Sequence, residues 1–135
     1  MSTDLKFNEI NIIGCPNWNN TIELIYKDLI TALSELFQSK QASKIAVFLH
    51  IDENINDEND YNNLLSEIIL LINLQKEIEL PHGLEINLMD TIMLKNILTQ
   101  SYGQHFDYKL KFSYENQLIM KNNQLSCLAY FECAT

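Results

Sequence analysis

The apolar run from Ile45 to Leu49 constrains the fold more than any other stretch of the sequence. Its five residues are all apolar, and Ile45 and Val47 are β-branched. A strand with one wet face would alternate polar and apolar residues, whereas this pattern is typical of a strand covered on both faces. We therefore predict a buried strand over Lys44–Ile51, with other elements packed above and below it.

A strongly amphipathic helix is predicted just before this strand. Asn20 and Glu23 have the spacing of a capping box, and the helical periodicity continues to about Ser39. The apolar face carries Ile22, Ile25, Leu29, Leu33, Leu36 and Phe37, and the polar face carries Glu23, Lys27, Asp28, Ser34 and Glu35.

A second helix is predicted from about Asp60 to Glu77. Apolar residues cover much of its circumference, including the continuous run Ile68–Ile72. A helix of this kind is buried widely, either inside its own domain or against a second copy of the chain. No apolar run in the sequence is longer than five residues, which is far shorter than the ~18 residues that a membrane span needs.

The remaining segments predict further strands and one short helix. The predicted strands are Leu5–Ile13, Leu84–Leu88, Phe106–Tyr114 and Leu125–Cys133, with an Asp90-capped helix reaching Thr99. Lys121–Asn123 is interpreted as the turn of an antiparallel hairpin formed by the last two strands.

The predicted order is therefore β-α-β-α-β-α-β-β. Helix-linked strands favour right-handed crossovers and a parallel core, to which the terminal hairpin would add antiparallel strands. We expect a mixed sheet of about five strands in an α/β sandwich, with an α+β arrangement as the alternative. The 135 residues suit a single globular domain spanning 1–135.

The charge of the chain is concentrated in its middle third. Residues 45–90 hold ten acidic residues against Lys76 alone, which matches the formal charge of −9 for the whole chain. All nine basic residues are lysines, so the planar guanidinium that suits phosphates and base edges is absent. This composition disfavours direct nucleic-acid binding and favours a basic protein partner.

The stretch Asp52–Asp60 is the centre of the acidic block. Five of its nine residues are carboxylates, and it follows a buried strand directly. It partly matches a calcium-binding loop, but Asp57 stands where that loop needs Gly, and Asn63 stands where it needs Glu. We therefore predict no metal site here. A solvated loop and a binding face are the two remaining interpretations.

Other cofactor sites have little support in the sequence. The three glycines, Gly14, Gly83 and Gly103, are too far apart to form a phosphate-binding loop, so no cofactor is predicted. The only nucleophilic arrangement that the predicted topology offers is Cys15 with His50 and Asp52. It would require these residues to meet at one end of the sheet.

The predicted topology gathers several polar residues at one edge. In a parallel sheet, the loops after the first three strands share the carboxyl edge, where α/β proteins usually place their sites. The sole tryptophan would lie there among carboxylates. The predicted partner-binding residues are Trp18, Asp52, Glu53, Asp57, Glu58, Asp60 and Asp90.

These features predict a small acidic cytoplasmic binding or inhibitor protein rather than an enzyme. The most specific expectation is a bacterial immunity protein that masks a basic, nuclease-type toxin with an acidic surface. The alternatives are a small α/β enzyme or metal-dependent module that uses Cys15, His50 and Asp52, and a structural subunit of a homo-oligomer.

Overall fold

The structure of the protein, a computed structural model, describes residues 5–52, 58–99 and 106–132, with the backbone alone described for Glu58. Helices and strands alternate through most of its length. In chain order the elements are β1 (Ile10–Gly14), α1 (Ile22–Phe37), β2 (Ile45–His50), α2 (Glu58–Lys76), β3 (Glu85–Met89), α3 (Thr91–Thr99), β4 (Tyr108–Lys109), α4 (Gln117–Met120) and α5 (Asn123–Ser126).

The described strands form one parallel sheet in the order β3-β2-β1-β4. The chain moves outward from β1 through β2 to β3, and then returns across the sheet to place β4 beside β1. Right-handed crossovers put the connecting helices on one face while the chain moves one way and on the opposite face when it reverses. This arrangement confirms the α/β class and the parallel core.

Alternate residues of β2 divide between two hydrophobic cores. Ile45, Val47 and Leu49 pack with α1 and α2, whereas Ala46 and Phe48 pack with Leu94 of α3 on the opposite face. Every residue of β2 is buried, which confirms the strand covered on both faces. Each fully buried large apolar side chain contributes about 1.5–3 kcal/mol, so this strand is a main source of stability.

The predicted terminal hairpin is wrong, and so is the mixed sheet of about five strands. Among the described residues the sheet has four strands, all parallel. The predicted strand Phe106–Tyr114 pairs with β1 only at Tyr108–Lys109. The chain then forms α4 and α5, where a turn and a returning strand were expected.

Asparagine capping explains why helices replace the hairpin. The Asn116 side chain accepts a hydrogen bond from the Ile119 amide, and the Asn122 side chain accepts one from the Gln124 amide. Asparagine is among the best N-cap residues, so these positions begin helical turns. Asn122 was interpreted as part of a hairpin turn, but it is the N-cap of α5.

Two further local predictions need correction. The N-cap of α1 is Thr21, one residue after the predicted Asn20, and its hydroxyl accepts from the Leu24 amide. Asp28 and Ser34, which the periodicity assigned to the polar face of this helix, are buried. The Asp90 cap of α3 is confirmed, because its carboxylate accepts a 2.8 Å hydrogen bond from the Met93 amide.

The structure also bears on membrane association. Among the described helices, none combines the length and apolar character that a bilayer crossing requires.

Candidate functional site

The carboxyl ends of β1, β2 and β3, with the described parts of the loops that follow them, are called here the carboxyl edge. Because the three strands are parallel, these loops emerge on the same side of the sheet. The geometry brings Trp18, Asp52 and Asp60 into one neighbourhood through the contacts of the two aromatic rings described next.

Trp18 is fixed in place by two contacts. Its indole Nε1 donates a 2.6 Å hydrogen bond to the carbonyl oxygen of His50 at the end of β2. Its ring packs edge-on against Tyr61 of α2, with ring centroids 4.8 Å apart. The side chain is half-buried, so Trp18 links the loop after β1 to both β2 and α2 while part of its ring stays accessible.

Tyr61 is buried and fastens the beginning of the acidic stretch to α2. Its hydroxyl donates to the carbonyl oxygen of Asp52 at 2.6 Å and accepts from the Asp52 amide at 3.2 Å. Buried hydrogen bonds of this type restrict motion, because breaking one leaves a polar group unsatisfied. The Trp18–Tyr61 pair therefore forms a rigid platform at the carboxyl edge.

A cavity of about 180 Å³ opens beside this platform. It lies between the N-terminal ends of α1 and α2. The residues that line it are Trp18, Asn20, Ile22, Ile25, Asp60, Tyr61 and Leu64. Its walls therefore combine two aromatic rings, three aliphatic side chains, one amide and one carboxylate.

The predicted acidic residues have different positions. Asp60 is exposed in the first turn of α2 and lines the cavity, where it also suits the positive end of the helix dipole. Asp52 is half-buried beside Tyr61, and Asp90 is half-buried as the N-cap of α3. Glu53 and Asp57 lie outside the described residues.

Glu58, the remaining predicted binding residue, is the first residue of α2. Its backbone lies two positions before Asp60, at the same end of the helix. Asp52, Glu58 and Asp60 therefore all lie between the end of β2 and the first turn of α2.

The nucleophilic arrangement has little geometric support. Cys15 is 2% exposed, and its burial, reinforced by the charge of Glu115, raises the pKa of the thiol to about 12. The Nε2 atom of His50 lies 2.8 Å from the Thr91 hydroxyl, and no hydrogen bond joins Cys15 to His50 within the described residues. A thiol held in its neutral form is a poor nucleophile.

The switch point of the sheet, between β1 and β4, is filled by the chain itself. Residues 112–116 run alongside residues 14–17, and the Asn17 amide donates to the Tyr114 carbonyl while the Asn116 amide donates to the Cys15 carbonyl. A Cβ atom on Gly14 would lie 3.0 Å from the Phe112 ring. Open α/β sheets usually bind nucleotides in this crevice, but here it is occupied.

Asp28 holds this covering segment against α1. Its two carboxylate oxygens accept hydrogen bonds from the amides of Ser113 and Tyr114, at 2.8 and 3.0 Å. The periodicity of α1 did not reveal this role, nor did it reveal the Tyr61 platform. The sequence contains one indication of the Tyr61 contact, because Tyr61 is the first aromatic residue after the acidic stretch.

Within the described part of the chain, no three His, Cys, Asp or Glu side chains are grouped so that they could hold a metal ion. Comparisons with protein families, with curated proteins and with solved structures found no match to this chain. The function of this protein is therefore inferred from its fold, the carboxyl edge and the distribution of charge.

Proposed function

We propose that this protein binds and masks a basic protein partner through its carboxyl edge. In its specific form, the proposal is a bacterial, cytoplasmic immunity protein that neutralises a cationic nuclease toxin. One observation carries the proposal: the rigid Trp18–Tyr61 platform lies directly beside Asp52 and Asp60, in the segment that holds the whole net charge.

The charge distribution supports a cationic partner. Within the acidic block, Glu67, Glu77 and Glu79 are exposed. Among the described residues, one ion pair joins a lysine to a carboxylate, and it links Lys44 to Glu9 at 4.0 Å, outside that group. The block therefore projects a negative field into solvent, which accelerates encounter with a positively charged surface.

The platform supplies the contact that charge alone does not. Aromatic residues are enriched among the few interface residues that carry most of the binding energy. Trp18 is already hydrogen-bonded and packed before a partner arrives, so little conformational entropy is lost on binding. Carboxylates would steer the partner and occupy the groups with which a nuclease holds substrate phosphates, while the aromatic platform would slow dissociation.

The test replaces Asp52, Glu53, Asp57, Glu58 and Asp60 with Asn or Gln. A matched control replaces five carboxylates outside the acidic block of residues 45–90, namely Asp4, Glu9, Glu35, Asp107 and Glu132, with Asn or Gln, so that both variants change the net charge equally. The basic partner is first isolated on the wild-type protein from a lysate of the source organism and then purified.

Association rates are measured by stopped flow at several NaCl concentrations, together with inhibition of the partner's activity on nucleic acid. We expect the edge variant to associate at least about tenfold more slowly at low salt and to inhibit poorly, because steering is lost. Equal rates for the edge variant and the wild type, or equal slowing of both variants, would contradict the proposal.

A second candidate role, self-association through α2, is supported by two exposed leucines. Leu70 is 55% exposed and Leu74 is 68% exposed, one helical turn apart on α2. Side chains at this spacing lie on the same helix face, so they form a small apolar stripe that a second copy could cover. The flanking carboxylates Glu67 and Glu77 would oppose such a dimer at low salt.

A further inference from the structure

We infer that the cavity between the N-terminal ends of α1 and α2, called here the Trp18 socket, binds one lysine or arginine side chain of the partner. The socket is defined by Trp18, Asn20, Ile22, Ile25, Asp60, Tyr61 and Leu64. This inference rests on the proposed function, because it names the group of a basic partner that the carboxyl edge would hold.

The size of the socket suits a single side chain. Its volume of about 180 Å³ is below the roughly 300–1,000 Å³ of pockets that bury a drug-sized ligand. The socket is therefore smaller than the pockets that usually hold a nucleotide or another large cofactor, and its size suits the end of one long side chain.

The lining matches both parts of a long cationic side chain. Ile22, Ile25 and Leu64 offer an apolar surface to the methylene stem, which basic side chains bury readily. The half-buried ring of Trp18 supplies a π system that attracts a cation. The exposed carboxylate of Asp60 supplies the opposite charge in the same cavity.

An anion is the opposite possibility, because helix N-termini attract negative charge. At α1 the Thr21 hydroxyl already accepts from the Leu24 amide, and Glu23 adds a carboxylate in the first turn. At α2 the Asp60 carboxylate likewise lies in the first turn of the helix. No lysine is among the described residues that line the socket, so an incoming anion would meet the carboxylates of Glu23 and Asp60 at the two helix ends.

The walls of the socket are held before any ligand arrives. The Trp18 indole donates a hydrogen bond to the carbonyl oxygen of His50, and the Tyr61 hydroxyl donates one to the carbonyl oxygen of Asp52. Below the socket, the Tyr26 hydroxyl donates a 2.9 Å hydrogen bond to Glu67 across the α1–α2 contact. A cavity that is formed in advance loses little entropy when it is filled.

The direct test uses small probes and no partner. The full chain is titrated with Nα-acetyl-arginine amide, Nα-acetyl-lysine amide and the neutral isostere Nα-acetyl-citrulline amide. Binding is followed by the fluorescence of Trp18, which is the sole tryptophan, and by the NMR signals of its indole and of the Asp60 and Tyr61 amides. We expect millimolar binding of both cationic probes and at least about fivefold weaker binding of citrulline.

Two variants with the same change of charge locate the site. Asp60→Asn removes the carboxylate from the socket, and Glu35→Gln removes an exposed carboxylate near the other end of α1. We expect the first to weaken binding of the arginine probe about fivefold or more, and the second to leave it unchanged. Circular dichroism confirms that both variants fold.

Equal affinity for arginine and citrulline would overturn the inference, as would Asp60→Asn binding like the wild type, or titration with inorganic phosphate producing the same signal changes. The two proposals can fail separately. Probe binding is measured without the partner, so a socket that ignores cations leaves the association experiment to decide the proposed function. Probe binding combined with unchanged association of the edge variant would retain the socket and reject the masking function.

Discussion

At the scale of single residues, Cys15 shows how position determines chemistry. It lies at the carboxyl edge, where a nucleophile would be useful, but it packs in the core with Ile13 and Phe48. Burial removes water that would stabilise a thiolate, and the nearby carboxylate of Glu115 disfavours it further. The residue therefore acts as a small apolar side chain.

The raised pKa of Cys15 predicts a loss of stability in alkali. Its pKa rises from 9.0 to about 12 on folding, so the folded state holds the thiol proton more tightly than the unfolded state. The resulting stabilisation is complete below pH 9 and is lost as the pH rises through 9 towards 12. Each pKa unit corresponds to about 1.4 kcal/mol, so the loss over the two units from pH 9 to pH 11 is on the order of 3 kcal/mol.

Urea unfolding of the wild type and of Cys15→Ala at pH 8 and pH 11 measures this loss. Tyr26 and Tyr130, whose pKa values are also raised, titrate in both proteins, so their contribution cancels in the comparison. We expect the variant to lose less stability between the two pH values, because it lacks the thiol. Parallel losses in the two proteins would show that the thiol is not responsible.

At the scale of elements, the covering segment 112–116 takes the place of the predicted hairpin. It is fixed by the Pro16–Glu115 bridge, by the Phe112 ring against Gly14 and by Asp28 of α1. The alternation of aromatic or aliphatic residues with polar residues in Phe106–Tyr114 predicts a strand with one aromatic face and one polar, solvated face. Instead Tyr108 and Tyr114 are exposed and Lys109 is 8% exposed, because the segment leaves the sheet after two paired residues.

Asp28→Asn is expected to loosen this segment. The carboxylate accepts two amide hydrogen bonds, and an asparagine would turn one NH₂ group towards a donor. Hydrogen bonds to charged groups contribute about 1.5–3 kcal/mol, and we expect a loss of about that size in the free energy of unfolding.

Urea unfolding compares Asp28→Asn with Glu35→Gln, which alters an exposed carboxylate of the same helix. The control should change stability by less than about 0.5 kcal/mol. Similar small effects for both substitutions would mean that the two amide contacts do not hold the segment in solution.

At the scale of the whole molecule, charge and apolar surface favour different assemblies. The net charge of −9 favours a basic partner at the carboxyl edge, whereas Leu70 and Leu74 favour a second copy at α2. The salt dependence of association distinguishes these two assemblies. Screening weakens attraction between opposite charges, but it relieves repulsion between identical acidic surfaces.

Sedimentation of the wild type in low and high NaCl tests self-association through α2. If α2 forms the dimer interface, the average molecular mass rises towards twice that of the monomer as the protein concentration increases. The rise is steeper in high salt. Leu70→Gln with Leu74→Gln should abolish the rise, whereas the control Leu118→Gln, at a residue that is 81% exposed on α4, should not. A mass that stays monomeric at all concentrations removes this role.

The sequence by itself determined the features that depend on nearby residues or on burial. These are the fully covered strand β2, the amphipathic helix α1, the Asp90 cap of α3 and the acidic segment after β2. Periodicity and capping record whether a side chain is buried and where a helix begins, because both are local requirements.

Only the tertiary structure decided which distant segments meet. Asp28 accepts hydrogen bonds from amides 85 and 86 positions away, and Trp18 donates one to a carbonyl oxygen 32 positions away. Strand β4 returns to lie beside β1. A hydrophobic period indicates that a face is covered without identifying what covers it, so neither the filled switch point nor the Trp18 socket could be predicted. These long-range contacts place Asp52 and Asp60 beside a rigid aromatic platform.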